Sequence, residues 1–257
     1  MIMRYKGLRD HTFFRVFWGE PENTKLLMKE IERLVIRNKF EAIRKTPVLV
    51  CGKDNVDRLS RLGFECRLIH NDPNGVHDGK WFFNKFFAFE SALSYYESAT
   101  LLDFDCVQVR EMPPNFLAMH KTGQSIQAPL IRYNRRRARW RKNWRQSKNS
   151  RILPCACYLH IRKGEAMEHI KATVDETVAK ADEIMFYGDE IILAMVIDDM
   201  MKGWKGAEEY AKMGFAPPLV SSVCDDGKCC IAHFHRQGMV SKAIRKKPDW
   251  LSETPVI

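Results

Sequence analysis

The feature that most constrains the fold is a regular alternation of short apolar runs with segments of helical spacing. The apolar runs, each the length of a strand, lie at 12–18, 47–51, 64–70 and 99–103. The segments between them, whose apolar residues recur at the spacing of amphipathic or buried helices, lie at 22–40, 55–62 and 81–96. This alternation predicts an α/β, Rossmann-like fold with a mixed, mainly parallel sheet flanked by helices. Ligands bind such sheets beyond the carboxyl ends of the strands.

The second half of the chain continues the pattern with a predicted strand at 152–161 and predicted helices at 165–180 and 189–201. Two short runs, 221–224 and 229–234, flank a turn-like Asp-Asp-Gly-Lys and predict a β-hairpin. The 257 residues suit one large domain better than two. We therefore predict a single domain over 1–257 that carries an insertion at 113–151.

Positive charge is concentrated in one stretch of the chain. Between Glu111 and Glu165 there are thirteen lysines and arginines and no acidic residue. Without these cations the rest of the chain is slightly acidic, although the whole has a formal net charge of +10. A charge that served only solubility would be scattered, so this one indicates a local function.

A pair of carboxylates follows the fourth apolar run. In Asp103-Phe104-Asp105 the two acids stand two residues apart, and residues at that spacing on a strand point the same way. Close carboxylates repel each other and are stable mainly beside a cation. A hard divalent ion such as Mn²⁺ or Mg²⁺ prefers oxygen ligands. The alternative is a solvated strand end.

The sequence around this pair resembles the centre of GT-A nucleotide-sugar glycosyltransferases, especially the glycogenin-like ones. The resemblance rests on the helical run Asn84–Leu93, the following Tyr95-Tyr96, and the strand Leu101-Leu102-Asp103-Phe104-Asp105. It implies the GT-A fold and a metal, held by Asp103 and Asp105, that bridges the diphosphate of a nucleotide sugar. It also places Lys85 and Phe104 among the donor-binding residues. Family expectation makes the donor a UDP-sugar, with UDP-glucose as our specific prediction.

Two later segments resemble further parts of these enzymes. The run Pro154–Ile161 is similar to the strand that lines the donor-sugar pocket, which implies donor contacts from Cys155 and Ala156. Gly188-Asp189-Glu190 resembles an acidic pair near the sugar and the acceptor, which makes Asp189 and Glu190 candidate catalytic residues. In an inverting reaction one of them is the candidate general base. A carboxylate at a helix start is also favoured by the helix dipole alone.

The C-terminal run Ile231-Ala232-His233-Phe234-His235, with Gly238 and Lys242, resembles a third motif of the family. The resemblance implies that a histidine is the third protein ligand of the metal and that Lys242 contacts the diphosphate. We favour His233 as the ligand and place His235 with the donor-binding residues, although His235 stays open as the ligand.

A small zinc site is an alternative use of the same region. Cys224, Cys229 and Cys230 lie within twelve residues of His233 and His235, and the predicted hairpin would bring Cys224 close to the other two cysteines. Clusters of cysteine and histidine bind zinc where four ligands form a tetrahedron. The simpler interpretation of these cysteines, as of those in other apolar runs such as Cys51 and Cys66, is small buried side chains in a reducing compartment.

The basic insertion interleaves cations with aromatic residues, a composition typical of nucleic-acid contacts. The candidate acceptor-binding residues are Arg135, Arg136, Arg137, Arg139, Trp140, Arg141, Trp144 and Arg145. Together with the metal site they predict transfer of the sugar to a 5-hydroxymethyl pyrimidine in DNA, for which DNA-modifying glucosyltransferases of phages and kinetoplastids are the precedent. The alternative is a solvated helix whose tryptophans pack on the main domain and whose arginines serve the donor diphosphate or an acidic glycan.

Three other functions remain open. One is a GT-A enzyme whose acceptor is a glycan, a lipopolysaccharide or a protein. Another is a non-enzymatic nucleic-acid-binding protein, and the third is a two-metal nuclease or phosphoryl-transfer enzyme. No run of about 18 apolar residues that would span a membrane occurs, and no secretory signal is recognised. We therefore expect a cytoplasmic protein, in the host cytoplasm if a phage encodes it.

Overall fold

The computed structural model describes the elements of an α/β domain. The described residues are 10–19, 46–73, 83–103, 106–108, 126–128, 130–132, 152–154, 156–179, 193, 196, 220–221 and 231–233. The strands are β1 (His11–Phe17), β2 (Val48–Cys51), β3 (Cys66–His70), β4 (Ser98–Leu102), β5 (Cys106–Gln108), β6 (Ile126–Gln127), β7 (Leu130–Arg132), β8 (Ile152–Pro154), β9 (Tyr158–Arg162), β10 (Val220–Ser221) and β11 (Ile231–His233). The helices are α1 (Lys53–Arg61), α2 (Asn84–Leu93) and α3 (Glu165–Ala179).

The main sheet has six strands in the order β3-β2-β1-β4-β9-β6. β1, β2, β3 and β4 run parallel, whereas β9 is antiparallel to both of its neighbours. The predicted α/β class with a mixed, mainly parallel sheet is confirmed. The chain steps from β1 outward to β2 and β3 and then returns to the other side of β1 with β4. This reversal makes the gap between the carboxyl ends of β1 and β4 a topological switch point, where such sheets bind ligands.

Helix α2 packs on one face of this sheet, as its apolar character predicts. Phe86 and Phe89 are almost completely buried. The Phe89 ring meets Phe14 of β1 edge to face, with centroids 4.9 Å apart, a favoured aromatic geometry. Leu193 and Val196, inside the predicted helix 189–201, also belong to this core. Packing against the sheet fixes the position of α2 relative to the carboxyl end of β4. It thereby also fixes Lys85, the α2 residue that contacts Asp103 there.

Two predicted elements differ from the structure. The predicted hairpin is wrong: β10 and β11 pair parallel, and β11 pairs antiparallel with β5 instead. A pattern of apolar residues marks a strand but does not encode the direction of its partner. The predicted strand 152–161 is two strands, because the chain turns at Ala156 and Cys157 and β8 pairs with β7 while β9 stays in the main sheet.

Other predictions lie largely outside the described residues. The helix at 22–40 does so entirely, and so does most of the basic insertion. The part of that insertion which is described contributes β6 to the main sheet and β7 to a separate pair with β8. The single domain over 1–257 remains a prediction. Among the described residues, no helix combines the length and the apolar character needed to cross a membrane.

The carboxyl ends of β1, β2 and β3 are tied together by hydrogen bonds. The buried amide of Asn55 donates to the carbonyl of Cys51 at 2.9 Å and to that of Gly19 at 3.1 Å. The N–H of Gly52 donates to the carbonyl of His70 at 2.7 Å, and that of Gly19 to Pro73 at 2.7 Å. These bonds satisfy backbone groups that follow the strands and give the edge of the sheet next to the switch point a fixed shape.

Alanine at Gly52 should destabilise the protein more than alanine at Gly164. Both glycines have positive φ, 85° and 125°, but a Cβ on Gly52 would lie 2.9 Å from Cα of Pro73 whereas one on Gly164 meets nothing within 4 Å. The backbone conformation alone costs about 1 kcal/mol, and the clash raises the loss for Gly52→Ala to about 3 kcal/mol. Urea unfolding of both variants measures the difference. Equal losses would show that the contact with Pro73 relaxes freely.

Candidate functional site

Asp103 directly follows β4, at the switch point of the sheet. Both its backbone N–H and its backbone carbonyl form hydrogen bonds. Its N–H donates to the carbonyl of Cys157 at 2.8 Å, and its carbonyl accepts from the N–H of Cys106 at 2.9 Å. The first bond fixes Asp103 to the turn before β9, and the second fixes it to the start of β5. The end of β4 is therefore held against both neighbouring segments.

The carboxylate of Asp103 forms an ion pair with Lys85 of α2. The Lys85 ammonium lies 2.7 Å from Oδ1 and 3.0 Å from Oδ2, so it contacts both oxygens. Only 6% of the Lys85 side chain is exposed, against 19% of the Asp103 side chain. The same ammonium lies 3.5 Å from the carbonyl of Ala156. Because a buried ammonium is costly without an anion, Lys85 and Asp103 each stabilise the charged form of the other.

The Asp103 carboxylate is partly open to solvent and held in one orientation. Lys85 contacts both of its oxygens, and 19% of the Asp103 side chain is exposed. The lysine expected to bind the donor thus contacts the expected metal ligand directly.

The second sheet brings the backbone of His233, from the C-terminal motif, close to Cys106. β5 begins at Cys106, one residue after the carboxylate pair, and pairs antiparallel with β11. In this register His233 lies opposite Cys106, and opposed residues of an antiparallel pair have Cα atoms about 4.5–5.5 Å apart. The backbone of His233 is therefore next to the end of the Asp103–Asp105 segment, although the two motifs are far apart in the chain.

Only part of the predicted site is described. Asp103, Lys85 and Ala156 are brought together, and the backbone of His233 lies opposite Cys106, whose N–H donates to the Asp103 carbonyl. Among side chains that the structure describes, no three potential ligands form a metal cluster. The predicted site residues outside the described part of the chain are Phe104, Asp105, Cys155, Asp189, Glu190, His235, Lys242 and the eight acceptor residues from Arg135 to Arg145.

Sequence reasoning missed Arg15, a residue of the site that is only 1% exposed. Its Nη1 donates to the carbonyl of Asp103 at 2.8 Å and to that of Cys106 at 2.5 Å. The signal was present in the sequence, because a single arginine inside the apolar strand β1 must either be exposed or have partners.

A buried polar network was also missed. The Thr100 hydroxyl lies 2.9 Å from Nδ1 of His160 and 3.2 Å from Nε2 of His11, whose Nδ1 lies 2.8 Å from the hydroxyl of Ser98. This network of hydrogen bonds links β1, β4 and β9 across the middle of the sheet. Alternating positions on a strand share a face, so Ser98 and Thr100 give the sequence signal in β4.

None of the cysteines that the structure describes forms a disulfide. Cys51, Cys106 and Cys157 are buried and Cys66 is partly buried. Burial, reinforced by the negative charge of Asp72, raises the pKa of Cys51 to about 12, so this thiol stays protonated at neutral pH. Cys224, Cys229 and Cys230 lie outside the described residues, so the zinc site stays an untested alternative.

A cavity of about 200 Å³ lies apart from these groups. It is lined by residues of β1, β2 and β3, by the C-terminal end of α2 and by the segment that follows α2, among them Phe14, Leu49 and Tyr96. Neither Asp103 nor Lys85 lines it. The chemistry-bearing residues and this cavity are separate features of the domain.

Comparison with known proteins finds likeness in structure but not in sequence. No protein-family model matches the chain, and no curated protein matches it in sequence. The galactosyltransferase LgtC, solved with donor and acceptor sugar analogs, is 16% identical with a TM-score of 0.48, over 95% of this chain and 97% of LgtC. Mouse xyloside xylosyltransferase 1 is 11% identical with a TM-score of 0.46, over 88% of this chain and 97% of the mouse protein.

A third similar structure is a glycosyltransferase involved in glycosylation of the major capsid of PBCV-1. It is 10% identical with a TM-score of 0.41, over 91% of this chain and 98% of that protein. At such low identities and TM-scores, these likenesses assign no donor, acceptor or metal to this chain.

Proposed function

We propose that the chain is a metal-dependent glycosyltransferase that moves a sugar from a nucleotide sugar to a hydroxyl acceptor. The observation that carries this proposal is the register of β5 and β11, which puts the backbone of His233 opposite Cys106. This register supports the proposal because His233 begins one of the two motifs that resemble GT-A enzymes, and Cys106 directly follows the other, Asp103-Phe104-Asp105. The resemblance implies that the two motifs share a metal site. Nothing in the spacing of the two motifs along the chain requires them to meet.

Asp103, Asp105 and His233 are the proposed ligands of Mn²⁺ or Mg²⁺. Two carboxylates and an imidazole suit Mn²⁺ well, and carboxylates suit Mg²⁺. The Asp103 carboxylate, which is 19% exposed and held in orientation by Lys85, supports this role. When bound, the ion supplies Lewis-acid stabilisation of the leaving diphosphate.

The remaining proposed roles belong to residues of the chain. Lys85 orients Asp103 and places a positive charge beside the expected diphosphate. Lys242 contacts the diphosphate, and Phe104, Cys155, Ala156 and His235 line the donor. Asp189 or Glu190 takes the proton of the acceptor hydroxyl if the reaction inverts the anomeric centre, or steadies the developing positive charge on the sugar if it retains it.

The proposed donor is a UDP-sugar, UDP-glucose first, and the proposed acceptor is a 5-hydroxymethyl pyrimidine in DNA. The acceptor proposal is supported by the charge of the basic insertion and by its interleaved tryptophans. Cations that neutralise phosphates and aromatic rings that stack on bases are the usual parts of such a contact. An acidic glycan is the second candidate acceptor, because the same cations suit its charge.

A panel of nucleotide sugars tests donor and class together. Purified protein is incubated with each donor and Mn²⁺, and release of the nucleoside diphosphate is measured with and without EDTA. We expect hydrolysis of one uridine donor that EDTA abolishes. Hydroxymethylated DNA, unmodified DNA and an acidic oligosaccharide are then compared as acceptors of the labelled sugar. Turnover that EDTA leaves intact contradicts the metal role, and transfer only to the oligosaccharide contradicts the DNA acceptor.

A further inference from the structure

Arg15 is a charged residue in a place where charge is costly. It lies in the middle of β1, among seven consecutive buried residues, and is one of the largest fully buried side chains. A buried guanidinium needs hydrogen-bond acceptors to offset its loss of hydration. An apolar residue would fill this place in an ordinary strand, so the contacts of Arg15 indicate what the charge does.

Two of those contacts fall on the ends of one short segment. Nη1 of Arg15 donates to the carbonyl of Asp103 at 2.8 Å and to that of Cys106 at 2.5 Å. These two residues are also joined directly by the 2.9 Å bond from the Cys106 N–H to the Asp103 carbonyl. One buried group on β1 thus holds both ends of the segment that contains the carboxylate pair.

We propose that Arg15 is a positioning residue, which fixes the backbone from Asp103 to Cys106 so that the carboxylate pair is preorganised to bind the metal. This inference rests on the proposed function, because it assigns Arg15 to the same site. Arg15 acts on the main chain of the segment, whereas Lys85 acts on the carboxylate of Asp103 itself. Groups that orient metal ligands commonly change metal affinity by about 10- to 100-fold when they are removed.

The competing explanation is that Arg15 only stabilises the fold. Thr100→Val is a matched control, because Thr100 is as deeply buried on the neighbouring strand β4 and joins two polar side chains. The Thr100 hydroxyl bonds His11 and His160, and neither belongs to the segment from Asp103 to Cys106. Both Arg15→Met and Thr100→Val therefore remove buried hydrogen bonds from the same sheet, but only Arg15→Met releases the segment.

The experiment compares the wild type, Arg15→Met, Arg15→Lys and Thr100→Val by two measurements. Hydrogen–deuterium exchange of peptides covering 103–108 reports the order of the segment without any metal. Calorimetric titration with Mn²⁺ alone reports affinity. We expect faster exchange of 103–108 and about 10- to 100-fold weaker Mn²⁺ binding for Arg15→Met. Arg15→Lys keeps the charge and a donor and should be intermediate, while Thr100→Val should match the wild type in both.

The outcomes separate this inference from the proposed function. If Arg15→Met changes exchange at 103–108 no more than Thr100→Val does, Arg15 does not hold the segment and the inference is wrong. If it changes exchange but not Mn²⁺ affinity, the segment is held but not for the metal, and the inference is also wrong. A wild type that binds no Mn²⁺ contradicts the metal site itself. Should Arg15→Met not fold, Arg15→Lys provides the same comparison.

Discussion

Replacing Asp103 with asparagine should abolish metal-dependent turnover and lower the free energy of unfolding at the same time. A neutral amide is a poor ligand for a hard cation, and a metal supplies several kcal/mol of transition-state stabilisation. The expected fall in kcat is therefore roughly a thousandfold. The loss of stability has a separate cause, because the Lys85 ammonium stays buried without its anion. That costs about 3 kcal/mol, measurable by urea unfolding.

A double variant separates these two effects. Lys85→Met combined with Asp103→Asn removes both charges and fills the volume of the lysine, so stability should return nearly to that of the wild type. Turnover should stay as low as in Asp103→Asn alone. If turnover with Mn²⁺ recovers along with stability, Asp103 matters only as the partner of Lys85 and is not a metal ligand.

The second large effect is expected for His233→Ala. The β5–β11 register places this residue opposite Cys106, at the end of the segment that holds the carboxylate pair. Removing one of three protein ligands should weaken Mn²⁺ binding by about 100-fold or more, at least as much as the loss of a supporting residue. Calorimetric titration with Mn²⁺ alone measures this, independently of donor and acceptor.

The control for this variant is His235→Ala. The chain carries the two histidines two residues apart, so both substitutions remove an imidazole from the same short run. We expect His235→Ala to bind Mn²⁺ within a few-fold of the wild type while KM for the donor rises. The opposite ranking would make His235 the ligand, and equal losses would mean that neither histidine is specifically involved.

The elements that depend on local pattern could be predicted from the sequence. β1, β2, β3, β4 and α2 were all found because the period of their apolar residues reports directly which face is buried. The position of Asp103 at the carboxyl end of β4 followed from the same reasoning. The direction of strand pairing could not be predicted in this way. The apolar residues of β10 and β11 are compatible with either parallel or antiparallel pairing.

Contacts between distant segments were the part that sequence could not supply. The ion pair of Lys85 with Asp103 depends on how α2 sits on the sheet. The hydrogen bonds of Arg15 depend on β1 and β4 being neighbours, an adjacency that the strand order creates. Arg15 carried a sequence signal, a lone cation in an apolar strand, but its partners are backbone carbonyls, which no residue type reveals.

The central claim is that Asp103, Asp105 and His233 hold one divalent cation, and pulsed electron paramagnetic resonance of the Mn²⁺-loaded protein tests it most directly. Electron spin-echo modulation detects an imidazole nitrogen bound to Mn²⁺. We expect this modulation in the wild type and in His235→Ala, and its loss in His233→Ala. No imidazole signal in the wild type, or an unchanged signal in His233→Ala, would contradict the claim.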